Sequence, residues 1–247
     1  MTQSLPFPEL LDLIAERSAA LRQAVTTADT EARVPGCPDW SLRDLVAHLG
    51  DVQRFWAQAV AAGPAAGPPA FTAGDPDGDL VGWSAESTRL LIDALRVAGP
   101  DRDCWTWWGA SEAPMTSGAV ARHQIQEAAV HAWDAQESAG KPEPIPASVA
   151  VDAVDELLVV TLGSIGAWPH RPARIALSAV EGPSWLVDLT PAGAKADPSA
   201  SGEPLATIHG AASDLVLAVY KRIPADRVEV DGDREAVEQF LAWTDTE

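Results

Sequence analysis

An α+β protein is the expectation for this chain: a helical bundle over residues 1–167, followed by a smaller α/β unit over 168–247. Two observations predict it. Apolar residues recur at a helical period through four long segments of the first two-thirds, and the pattern then shortens into β-prone runs punctuated by turn residues. With 247 residues and 47% hydrophobic content, the chain is long enough for one large or two modest cores.

Residues 9–27 place Leu10, Leu11, Ile14, Ala15, Leu21, Ala24 and Val25 on a helical period. Residues 34–40 are full of breakers and read as a loop. Ser41, with Asp44 three residues later, then makes a capping-box start for a second helix. That helix carries Leu42, Leu45, Val46, Leu49, Val52, Phe55 and Trp56 as its apolar stripe, with His48 beside it. Residues 63–79 are rich in Gly, Pro and Ala and read as a lid or flexible excursion. A third helix over 81–97 leads to Trp105, Trp107 and Trp108, indoles suited either to packing or to a ligand-facing wall. A fourth helix spans 116–138 and a fifth 149–162. Beyond residue 168, strands at 174–180 and 184–190 flank the turn Glu181-Gly182-Pro183, and 192–204 reads as loop. A short strand at 205–209, a helix at 211–222, a strand at 228–230 and a closing helix at 234–244 follow.

The charge balance, 17 basic against 36 acidic residues, is acidic on both sides of residue 167 and argues against a nucleic-acid partner. No apolar run of membrane-spanning length and no cationic leader is seen, so a soluble cytoplasmic protein is expected. In that compartment Cys37 and Cys104 are expected as reduced thiols; Cys37, just before a helix start, is either a favoured thiolate or a packed small residue.

The chemistry concentrates in the fourth helix. Glu127 and His131 stand four residues apart, so a carboxylate oxygen and an imidazole nitrogen project from the same face and can meet one ion. His48 is the candidate third ligand, giving two imidazoles and one carboxylate with an open position for water or substrate, a pattern more often catalytic than structural. Two nitrogens and an oxygen accommodate several divalent ions. His123 precedes Glu127 by a turn. It reads as an extra ligand, a hydrogen-bond partner or a polar residue at the bundle's end, although His123 and His131 lie about 12 Å apart along the axis, too far for one ion to bridge. Asp134 either orients His131 or sits on a solvated face.

The run Cys37-Pro38-Asp39-Trp40-Ser41-Leu42-Arg43-Asp44-Leu45-Val46-Ala47-His48-Leu49 resembles the opening motif of the mycothiol-dependent maleylpyruvate isomerase family. Glu127, His131 and Asp134 are similar in spacing to its second motif, and the stretch from Ile208 to Arg222 resembles its C-terminal domain. The resemblance implies a DinB-like four-helix bundle carrying a zinc ion on His48, Glu127 and His131, joined to a small α/β domain. It implies mycothiol as thiol cosubstrate, a small-molecule electrophile as substrate, and Arg222 as a catalytic and cofactor-binding residue, although a cation at a helix end is also favoured by the helix dipole alone. A monomer or small homo-oligomer is expected. The reaction stays open between thiol-dependent isomerisation, S-transfer, an amidase-like hydrolysis by metal-bound water, and a non-catalytic regulatory bundle.

Overall fold

The computed structural model describes residues 5–74, 76, 78–196 and 202–244, which fall into two compact units. The first comprises Leu5–Trp107 and Pro114–Ile145; the second comprises Trp108–Ala113 and the chain from Pro146 onward.

The first unit is a four-helix bundle of α1 (Phe7–Val25), α2 (Leu42–Ala62), α3 (Leu80–Ala98) and α4 (Ser117–Ser138), in which α1 packs mainly on α4 and α2 on α3. Each helix buries the stripe its period specifies, from Leu10, Ile14 and Leu21 in α1 to Leu91 and Leu95 in α3. Burying each such leucine contributes on the order of 2 kcal/mol. Helix α4 is buried nearly all round, from Val120 to Ala135, so the bundle closes over it.

A polar network crosses this core. The Gln53 side-chain amide donates to Ser18 Oγ at 2.9 Å and accepts from Thr88 Oγ1 at 2.9 Å, tying α2 to α1 and α3. Gly50 serves a different contact. The ring of Trp83 occupies the place its Cβ would take, at 2.0 Å, so α2 and α3 approach closely there although glycine lowers helix propensity.

Residues 34–40, expected as a loop, instead form a hairpin, β1 (Arg33–Val34) with β2 (Cys37–Ser41). The breakers Pro35 and Gly36 are its turn, and Val34 and Cys37 point into the core. The hairpin hands directly to α2: Ser41 Oγ accepts from the Asp44 amide at 3.2 Å, and Asp44 Oδ2 accepts from the Ser41 amide at 2.8 Å. This reciprocal cap fixes where the helix begins.

The second unit carries a five-stranded sheet of β3 (Ala173–Ala179), β4 (Ser184–Thr190), β5 (Gly193–Ala196), β6 (Ala206–Gly210) and β7 (Glu229–Gly232), in the order β5-β4-β3-β6-β7. Strands β3 and β6 are parallel, with Leu177 opposite Ile208, and the other neighbours are antiparallel. Their alternate residues Ile175, Leu177, Val187, Leu189 and Ile208 are buried. Helices α7 (Ala212–Val219) and α8 (Arg234–Trp243) pack on the sheet.

Three expectations need correcting here. Strand β5 lies inside the stretch expected as loop; its Gly-Ala-Lys-Ala sequence has no β preference, and pairing with β4 from Val187 to Thr190 imposes the extended form. The fifth helix is broken: α5 (Ala147–Glu156) passes into one π-helical turn at Leu157–Thr161, where the Leu162 amide bonds Leu157 O, before α6 (Leu162–Ile165). That helix also groups with the sheet unit, so the division falls between residues 145 and 146 rather than at 167, because α5 packs on α7. Among the described residues no helix is long and apolar enough to cross a membrane.

Candidate metal centre

The first unit brings the three residues singled out in the sequence to one point. Ligand atoms of His48, Glu127 and His131 all lie within 4.8 Å of one another, and among the described residues they are the one such group of three. His131 Nε2 is 3.4 Å and His48 Nε2 4.0 Å from the same oxygen, Glu127 Oε2. The imidazoles meet edge to face with centroids 5.2 Å apart.

Backbone order explains the convergence. The Ser41 cap sets the rotational phase of α2 seven residues before His48, and the i, i+4 spacing on α4 aligns Glu127 with His131. The hairpin adds a residue that the loop reading missed. Trp40, immediately before the cap, sets its indole 4.6 Å from the His48 ring and 6.3 Å from that of His131.

Asp134 resolves toward orientation. It is completely buried, and its Oδ2 lies 3.0 Å from His131 Nδ1. Asp134 accepts from Nδ1–H, so that in the neutral imidazole the lone pair lies on Nε2, which faces Glu127. Burial pushes the His131 proton off, but Asp134 and Glu127 outweigh it and raise its pKa to about 9. Burial also acts to raise the Glu127 pKa, yet hydrogen bonding to His131 and the fields of His131, His123 and His48 hold the carboxyl down at about 2.

His123 is not a polar residue at the bundle's end. It is buried, edge-on to Trp56 at 5.9 Å and Trp107 at 5.7 Å, with Nε2 3.8 Å from Glu127 Oε1. It therefore faces the other oxygen of the carboxylate from the one His48 and His131 share. A cleft of about 340 Å³ opens beside these groups, with Phe55, Trp56, Phe71 and Trp107 among its walls. Val52 and Phe55 follow His48 at helical spacing and were recoverable from sequence; Phe71, in the 63–79 excursion, carried no signal.

The tryptophan-rich segment divides its labour. Trp105 packs on Trp56 and Phe55, Trp107 lines the cleft, and Trp108 is fully buried in the second unit. Neither cysteine offers a nucleophile. Cys37 is a core residue, and burial, aided by Asp103, pushes the Cys104 thiol up to about 11. In the second unit, Arg222 follows the left-handed residue Lys221 (φ 55°) in a Schellman turn after α7. Its amide bonds Leu217 O at 2.7 Å, and its Nη1 donates to Tyr220 O at 2.9 Å.

The donor set suits a divalent ion. Ligand atoms around a tetrahedral zinc lie roughly 3.3 Å apart, close to the shorter separations here, and the buried carboxylate behind one imidazole is the usual support of a metal-bound histidine. Fold and site together define a class: a four-helix bundle with a two-histidine, one-carboxylate candidate metal site, joined to a small α/β unit. The pattern of the mycothiol maleylpyruvate isomerase N-terminal domain matches residues 11–136, and that of the family's C-terminal domain matches residues 148–239. The chain belongs to this family.

Among solved structures, the chain is similar to a mycothiol-dependent maleylpyruvate isomerase and to a histidine-to-alanine mutant of it. Both have TM-scores of 0.62, with 14% and 15% sequence identity and coverage of 92% of this chain and 93% of those chains. No curated protein sequence matches this chain.

Proposed function

We propose that this chain is a metal-dependent enzyme that uses a low-molecular-weight thiol of the mycothiol type to isomerise, or transfer sulfur to, a small electrophilic substrate. One observation carries the reading: His48, Glu127 and His131 converge on one point beside an aromatic cleft, with His131 held by buried Asp134. Family membership and the names of its structural relatives add the thiol and the isomerase reaction. A divalent ion, zinc by the family resemblance, would be held by these three residues and would lower the pKa of a thiol placed beside it.

The remaining chemistry belongs to side chains. Asp134 holds the His131 ring at Nδ1, while His123 faces Glu127 Oε1 and His48 and His131 face Oε2, so imidazoles approach both oxygens of the carboxylate. Phe55, Phe71 and Trp107 offer the substrate apolar surfaces. With Cys37 and Cys104 buried, the nucleophile comes from the cosubstrate. Its thiolate adds to an activated cis double bond, the carbon skeleton turns about the resulting single bond, and loss of the same thiolate restores the double bond in the trans form. If the adduct is protonated and released instead, S-transfer results. Arg222 is proposed to bind an anionic group of the thiol or substrate.

The reading is tested with the zinc-loaded chain, mycothiol and maleylpyruvate. Turnover should require the thiol, fall to background in His48→Ala and show a raised KM in Arg222→Lys. Turnover of an amide conjugate that needs no added thiol would replace this reading with hydrolysis.

A further inference from the structure

Beyond Phe71 lies a second cavity of the bundle, about 470 Å³, lined by Arg54, Gln58, Thr72, Trp83 and Ala94. Phe71 lines this cavity and the His48 cleft alike, so the two adjoin. Arg54 lies six residues beyond His48 on α2, about 9 Å along the helix.

The guanidinium of Arg54 is held in place. Its Nε donates to Ser87 Oγ at 2.7 Å, Ser87 Oγ donates to Trp83 O at 2.9 Å, and its carbon lies 4.9 Å from the Trp83 ring centroid. Among the described residues Ser87 is its hydrogen-bond partner, through Nε and not through Nη1 or Nη2, and Arg54 is part of the cavity wall. Glu86, the acid whose field it meets, is engaged through both oxygens by Arg89, at 2.8 and 2.6 Å. In a chain with 36 acidic and 17 basic residues, an arginine fixed at a cavity wall with no carboxylate hydrogen-bonded to it among the described residues is informative.

We propose that the Arg54 cavity is a carboxylate-binding subsite: a small organic acid places its carboxylate on the Arg54 fork and its carbon skeleton against Phe71 and Trp83. A guanidinium edge matches a carboxylate in two parallel hydrogen bonds, and the indole beneath keeps that edge pre-aligned. One cation balances one negative charge, which favours a carboxylate over a phosphate dianion. Gln58 and Thr72 supply neutral hydrogen-bonding groups in the lining. The subsite stands on the cavity's own geometry, whether or not the thiol reading holds.

The test follows the Arg54 Nε–Hε resonance of the purified full-length chain, identified by its loss in Arg54→Lys. Butyrate, a monoanion, is the probe, with butyramide and inorganic phosphate at matched ionic strength as comparisons. Butyrate should shift the resonance saturably, while butyramide does not and phosphate binds at least tenfold more weakly. Arg54→Lys should weaken butyrate binding about tenfold, read from butyrate's own saturation-transfer signal. Ala94→Leu, which narrows the cavity while retaining Arg54, should abolish the shift with the resonance still present. An unshifted resonance overturns the proposal, as do an equal response to phosphate or butyramide and undiminished binding in folded Ala94→Leu.

Discussion

Two polar clusters sit in the same bundle and differ in how they are closed. Around Gln53 every contact is direct: Ser18 accepts, Thr88 donates, and both distances are 2.9 Å. Around Glu127 three imidazoles stand at 3.4, 3.8 and 4.0 Å, converging without closing. The first cluster satisfies itself and ties helices together. The second presents donors to a shared point, the arrangement expected of groups that hold something between them.

Breaking each cluster should therefore produce opposite signatures. Glu127→Ala is expected to reduce bound metal to background and abolish turnover while the chain stays folded, checked by elemental analysis beside circular dichroism. Gln53→Ala should do the reverse, because Ser18 and Thr88 lose their buried partner. A stability loss of about 2–3 kcal/mol, and a thermal midpoint lower by roughly 4–12 °C, should accompany unchanged metal content.

Smaller changes sharpen the contrast. Asp134→Asn keeps the volume behind His131 but weakens the fixed tautomer, and should cost about 10- to 100-fold in metal affinity by competition with a chelator. The smallest step is pH. The folded-state pKa of His131 is raised to about 9, so in the metal-free chain its proton contributes stability that is full below about 6.5 and is lost as pH rises through about 9. That same proton opposes metal. Affinity should fall about tenfold for each pH unit below about 9, a slope that direct titration of the chain with zinc would reveal.

Much of this site was readable because its information is local. Glu127 and His131 are related by one turn, and His48 lies at a fixed distance from a recognisable cap. The helices were readable for the same reason. What escaped depends on distant partners. Pro35 and Gly36 signalled a break, but the hairpin exists because Arg33 pairs with Ser41. Residues 193–196 are extended only because β4 lies beside them, and Gly50 is explained only by Trp83, far along the chain. Gln53 has no helical-period meaning at all: both of its partners are 35 residues away. The allegiance of α5 likewise follows from packing on α7, which no local pattern encodes.

The Ser41–Asp44 cap also determines which changes in chain length the family architecture tolerates here. A residue inserted at the Pro35–Gly36 turn lengthens a surface link and leaves everything after Ser41 in register. The same insertion between Asp44 and His48 rotates all that follows by about 100°, carrying the imidazole away from Glu127 and turning Gly50 off the Trp83 ring. Between Gly36 and Asp44, only eight residues apart, the chain passes from a length that can drift to one that must be counted.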